Sequence, residues 1–253
     1  MINFKNKHEG NLGFVKAISS VIFFATIICG MLYFNGELNS IDLSKFINNI
    51  KVPEINIDFD NNGDNTSTTN GGTVTEEEVN NLLNTVTIAP DNYDVYNRDD
   101  YTSSTQSYEY NGKHYDSIRK YGYDASIFND GTNYNDPYTG ENIELSKCDW
   151  DHIIPLHYAN QHGASNWTAE EKKAFADNPN VGVNVNASDN RSKSDRGPSE
   201  WLPDVNRESY CYTWLVIAND FNLSINQEDY NVIKDVLSNV KDYSTIINLS
   251  SHN

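Results

Sequence analysis

The stretch "CDWDHIIPL", residues 148–156, sets two aspartates and a histidine inside a run that is otherwise apolar. Read as a strand over 150–154, it alternates its faces, with Asp151 and Ile153 on one side and Trp150, His152 and Ile154 on the other. Strand twist or a local bulge brings adjacent tips toward a common cavity. Pro155 has no backbone donor and suits the end of a strand. The strand is therefore expected to stop just after delivering an acid and an imidazole.

The partner strand lies downstream. In "VGVNVNASDNRSKSDRGPSEW", residues 181–201, Val181, Val183 and Val185 alternate strictly, and the chain then turns at "SD" into a helix start near Asn190. Two strands followed by a short helix form a β-β-α unit, which would bring Asn190 close to the end of the first strand. Arg191, Lys193 and Arg196 gather beside Asn190, a local basic patch in a chain of formal net charge -18. That balance argues against a broad basic surface gripping nucleic acid by counterion release, so any such contact is concentrated. The alternative reading of the patch is the solvated face of a surface helix.

The chain has 253 residues with sixteen tyrosines and four tryptophans, enough for one domain plus additional segments. Residues 17–34, "AISSVIFFATIICGMLYF", carry no charge and are long enough to cross most of a ~30 Å hydrocarbon layer. We read them as a membrane anchor, with a cleaved signal and secretion as the alternative. Lys5, Lys7 and Lys16 precede the segment and Glu37 and Asp42 follow it, which leaves the N-terminus in the cytoplasm and the remainder outside. Residues 56–73, "NIDFDNNGDNTSTTNGGT", hold too little apolar surface to offset their ordering entropy and read as a flexible linker. The expected division is 1–36 anchor, 37–90 linker or stalk with short helices, and 91–253 a single domain.

Within the domain, Thr75 with Glu78 and Thr168 with Glu171 are capping-box pairs, the first opening a helix to about Val86 that docks on the domain or belongs to the stalk. Helices are expected over 206–221 and 226–240, with tyrosine-rich strands and turns over 96–141. Cys148 and Cys211 are the two cysteines outside the apolar segment, and an extracytoplasmic placement suggests a disulfide, with free thiols the alternative. His157, His162 and His114 are expected to be surface or structural residues.

"DWDHIIPL" together with "NASDNRSKSDRGPSEWLP" (186–203) resembles the HNH (ββα-metal) endonuclease superfamily. "DPYTG" (136–140), "GASNWT" (163–168) and "CYTWLVIANDFNL" (211–223) resemble, in the same order, secreted or surface-anchored bacterial HNH endonucleases related to the C-terminal region of GmrSD-type restriction enzymes. The likeness covers residues 93–235 or so. It implies an α+β fold with a ββα-metal core and additional helices. By that resemblance Asp151 is a metal ligand, His152 the general base and Asn190 the ligand on the helix. Many such proteins carry an asparagine about nine residues before that last ligand. Val181 stands there, with Asn180 beside it, and which residue orients the base is left open.

These roles agree with the chemistry. Phosphodiester hydrolysis needs an activated water and a charge clamp on the nonbridging oxygens. An imidazole suits the first task, and two oxygen ligands favour Mg²⁺, or Mn²⁺, over Zn²⁺. Arg191 and Lys193 are expected to steady the phosphate, and Asp149 to support His152 or the ion from behind. The expected activity is low-specificity endonucleolytic cleavage outside the cell, with DNA favoured over RNA and no obligate protein partner. The alternatives are a surface nucleic-acid-binding module with a decayed site, or a nuclease toxin or defence effector.

Overall fold

A computed structural model describes residues 73–102 and 107–252. The expected anchor at 17–34 and the linker through 72 lie outside the described residues. The described residues form an α+β fold of seven α-helices and three two-stranded sheets. In chain order these are α1 (Glu76–Thr85), β1 (Thr87–Ile88), β2 (Tyr108–Tyr110), β3 (Lys113–Tyr115), α2 (Ile118–Ala125), β4 (Cys148–His152), α3 (Leu156–Gln161), α4 (Ala169–Ala176), β5 (Gly182–Asn186), α5 (Ala187–Lys193), α6 (Arg207–Asp220), β6 (Ser224–Ile225) and α7 (Gln227–Ser238).

The core is built around α6. Tyr210, Trp214, Leu215 and Ile217 of that helix are buried, as are its polar Ser209 and Thr213, so it is enclosed on nearly all sides. Its expected bounds of 206–221 coincide with the two residues that cap it, Asn206 and Phe221. Ile153, Ile154, Phe175 and Val181 join the same core, which ties the end of β4 and the start of β5 to the central helix. Full burial of each such side chain contributes roughly 1.5–3 kcal/mol.

Helix α1 belongs to this domain and not to a stalk. Val79 and Leu83 are buried, the Tyr212 hydroxyl of α6 donates to Glu78 at 2.6 Å, and β1 pairs in parallel with β6. Thr75 accepts from the Glu78 amide at 3.2 Å, and both arms of the Thr168–Glu171 capping box are present. The last helix is capped by Asn226, whose side chain accepts from the Asp229 amide. Asn111 and Gly112 both take left-handed backbone angles and close the β2–β3 hairpin.

β4 pairs antiparallel with β5, placing Asp151 opposite Val183, His152 opposite Gly182 and Trp150 opposite Asn184. β4 begins and ends two residues earlier than expected. The Ile153 amide still donates to the Val181 carbonyl at 2.9 Å, but the side chains of Ile153 and Ile154 are buried in the core and Pro155 caps α3. Gly182 is required at its position, because a Cβ there would collide with the Asp151 carbonyl and the Trp150 ring. α5 starts three residues before the expected Asn190, since the Asn186 side chain accepts from the Ser188 amide and starts the helix there.

The two cysteines do not form the expected bridge. Both are buried free thiols, and the Cys148 thiol donates to the Glu144 carbonyl at 3.4 Å. Burial pushes the Cys148 thiol up to about 12, so it carries no thiolate near neutrality.

Candidate functional site

His152 closes β4, and its ring is fixed by the backbone. Nε2 lies 2.7 Å from the carbonyl oxygen of Ala176, the last residue of α4. A carbonyl only accepts, so Nε2 carries the hydrogen and Nδ1 of the neutral ring is left with its lone pair. Burial is the main cause that pushes the His152 pKa below the ordinary value, and the nearby Lys193 and Arg98 charges push the same way. The ring is thus kept neutral, in a tautomer with one basic nitrogen. The contact that orients the His152 ring comes from the Ala176 carbonyl, whereas Asn180 is exposed and Val181 is buried in the core.

Asp151 points to the opposite side of β4 from His152 and is only 4% exposed. Its Oδ1 accepts from Lys193 Nζ at 2.8 Å and its Oδ2 accepts from the Tyr138 hydroxyl. Tyr138 is delivered by the turn of residues 136–140, closed by the Gly140 amide on the Asp136 carbonyl at 2.8 Å. The buried Asp136 carboxylate accepts from the amides of Tyr138 and Asn186 at 3.0 Å each, linking this turn to the start of α5. The "DPYTG" stretch is therefore a brace behind Asp151.

Lys193 is not a phosphate-binding residue in this structure. Its side chain is fully buried, and Nζ donates to both Asp151 and the His152 carbonyl, the latter at 2.7 Å. Burial pushes the ammonium's pKa down. Arg196 also turns inward, its Nε donating to the Lys193 carbonyl at 3.2 Å. Of the expected basic patch, Arg191 alone is an exposed cation at the site. Asp149 lies 3.8 Å from Arg191, with both side chains exposed.

Asn190 sits on the second turn of α5, and its amide nitrogen donates to the Trp150 carbonyl at 3.5 Å, a long contact. Asp151, His152, Asn190 and Arg191 all line one cleft of about 440 Å³, which Trp150 and Ser194 also border. The cleft is also lined by Tyr96, Arg98 and Asp195, which sequence reasoning missed, and by His157. Arg98 stands on a short 3₁₀ turn, Arg98–Tyr101, held in place by the buried Tyr101, whose hydroxyl donates to Asn160 of α3 at 3.0 Å. No periodicity in the sequence marks that turn, and its position depends on long-range packing.

His157, expected at the surface, borders the cleft and pairs through Nδ1 with Asp195 Oδ2 at 2.8 Å. His162, also expected at the surface, is buried, with ring nitrogens 3.1 Å from both Ser224 Oγ and Asp91 Oδ1. His114 is exposed and paired with Glu109, as a hairpin residue should be.

The cleft is lined by two side chains with oxygen donors of the kind a hard divalent ion takes, Asp151 and Asn190. An ionised carboxylate has about four lone-pair sites, of which two of Asp151's are used, and the Asn190 amide oxygen is a further hard donor. Among the described residues no three His, Cys, Asp or Glu side chains converge as a metal site, so waters would complete the coordination.

A protein of Arthroderma benhamiae named "Uncharacterized secreted protein" is 29% identical over 108 residues, 40% of this chain and 52% of the relative. The chain thus spans about half the length of the curated relative it matches. No family model matches the chain, and no solved structure matches it.

Proposed function

We propose that this chain is a metal-dependent, low-specificity endonuclease with a ββα-metal (HNH) core, acting on DNA outside the cell. The observation that carries the reading is the imidazole of His152, held neutral with Nδ1 as its basic nitrogen and placed in one cleft with Asp151, Asn190 and two arginines, Arg98 and Arg191. His152 accepts the proton of the attacking water at Nδ1. Arg191 and Arg98 bind the phosphate oxygens and orient the diester. Asp151 and Asn190 would hold a Mg²⁺ or Mn²⁺ ion, which when bound supplies charge for the oxygens that turn negative in the transition state. Lys193 and Tyr138 keep the Asp151 carboxylate in one position.

Extracellular action is supported by the name of the Arthroderma benhamiae protein and by the apolar segment at 17–34. Among the described residues no helix is long and apolar enough to cross a membrane.

The purified full chain should nick or linearise supercoiled plasmid in Mg²⁺ and lose that activity in EDTA. His152→Ala should cut the rate about 10²–10⁴-fold, the range of a general base. A folded parent that leaves plasmid, single-stranded DNA and RNA intact in both Mg²⁺ and Mn²⁺ would instead favour a binding module.

A further inference from the structure

We infer that His157, held by Asp195, is a second proton-transfer group of the same cleft and gives a proton to the departing sugar oxygen while His152 takes one from water. This rests on the phosphodiesterase reading above and adds a residue to it.

His157 is the second residue of α3, which starts just after the bend that follows β4, so one short segment carries both imidazoles into the cleft. Their surroundings contrast. Both rings are half-buried, but His152 is hydrogen-bonded to a carbonyl, whereas His157 is paired at 2.8 Å with a carboxylate. A carbonyl partner leaves His152 one free basic nitrogen, and a carboxylate partner suits a ring that carries a hydrogen on each nitrogen. The His157 hydrogen bond is the main cause that holds the Asp195 carboxyl below the usual carboxylate range, so Asp195 is ionised and only accepts. Nδ1 of His157 therefore carries a hydrogen, and Nε2 is the nitrogen left for exchange with a ligand. The ring does not swing freely, because it stacks on Tyr96 with centroids 4.7 Å apart and planes 29° apart.

The step balances. The water oxygen forms a bond to phosphorus as the bond from phosphorus to the leaving sugar oxygen breaks. The water proton goes to Nδ1 of His152, and the leaving oxygen takes the Nε2 proton of His157 in its imidazolium form, whose Nδ1 hydrogen stays donated to Asp195. A phosphomonoester and an alcohol result, and exchange with solvent restores both rings. A sugar alkoxide is a poor leaving group without that proton. A nitrophenolate departs without one.

The test compares two substrates of the full chain in Mg²⁺: duplex DNA and thymidine 5′-(p-nitrophenyl phosphate). His157→Gln should lower DNA cleavage about 10²–10⁴-fold while changing nitrophenyl ester hydrolysis less than about threefold. Asp195→Asn should lower DNA cleavage by a smaller factor with the same selectivity, and His152→Ala should lower both. Thermal melts of each variant establish that it is folded. Equal losses on the two substrates would make His157 a positioning residue and overturn the inference, as would unchanged DNA cleavage. If His152→Ala abolishes activity and His157→Gln does not, the phosphodiesterase reading stands and this inference falls. A parent inactive on both substrates removes both.

Discussion

On α5 two cations stand two residues apart in opposite surroundings. Lys193 is fully buried and lies 2.8 Å from Asp151, itself 4% exposed at the side chain. Arg191 keeps 71% of its side chain exposed, and its partner Asp149 is 3.8 Å away and 45% exposed. The helical period explains the division, since two residues advance the helix by about 200° and set the side chains on opposite faces. A run of basic residues in a helix is therefore not one patch. One of these cations is internal structure and the other is available to a ligand.

The sharpest way to break this comparison is to remove the internal cation. Lys193→Met would leave Asp151 buried without its counter-charge, and breaking one partner of a buried pair costs about 3–5 kcal/mol. Urea unfolding should show that loss. The same experiment on Lys193→Met combined with Asp151→Asn should show less than the sum of the single changes, because the uncompensated charge is gone. A Lys193→Met midpoint equal to the parent's would mean that the ammonium is not the carboxylate's necessary partner.

How much of this is legible in the sequence depends on how local each determinant is. The capping residues Thr75, Thr168 and Asn226 act within three residues of themselves, and their helices start where those residues predict. Alternation at Val183 and Val185 marks β5, and the pairing of β4 with β5 follows from it. Asp151, His152, Asn190 and Arg191 are readable and do line one cleft. Lys193 is misjudged by a reading that takes the basic run as one patch, although the 200° argument applies as soon as a helix is expected there. Arg98, Tyr96 and Ala176 have no local signal. Their places depend on pairings such as Tyr101 with Asn160 and His152 with Ala176, which join residues 59 and 24 positions apart. The cysteine pairing fails for a related reason, because an even count says nothing about where two elements pack.

A second, smaller test concerns the ring packed beside Trp150 of β4. His252 lies against Trp150 and Tyr121, with ring centroids 6.2 Å and 5.4 Å away, and burial lowers its pKa to about 4. Against an unfolded value near ~6.5, the unfolded chain binds more protons between those two values, so the stability due to the neutral ring is complete above ~6.5 and is lost as pH falls toward ~4. The loss is about 3 kcal/mol, from ~1.4 kcal/mol for each unit of difference. His152 and His162 are also lowered, mainly by burial, and add to the acid sensitivity, while Asp136, raised by burial, opposes it. The informative quantity is therefore the difference between parent and His252→Phe in urea unfolding at pH 7 and pH 4.5. His252→Phe should lose less stability on acidification, and parallel curves would show that the ring is not held neutral by burial.

The smallest effect on stability, and the one that sharpens the comparison most, belongs to Arg191. An exposed pair such as Arg191–Asp149 contributes between 0 and about 1 kcal/mol, so Arg191→Gln should leave the urea midpoint almost where it was. Its effect should appear in binding. Removing one cation from the phosphate backbone lowers the slope of log affinity against log salt by about one unit on duplex DNA, and weakens binding evenly across sequences. Titrating labelled DNA with the full chain and with Arg191→Gln at several salt concentrations, using the cleavage-impaired His152→Ala background in both, measures that slope directly. Lys193→Met, compared without urea at a temperature where it remains folded, should leave the slope unchanged, because a buried ammonium releases no phosphate counterion. A slope altered by Lys193→Met and not by Arg191→Gln would invert the assignment of the two cations and place the ligand on the other face of α5.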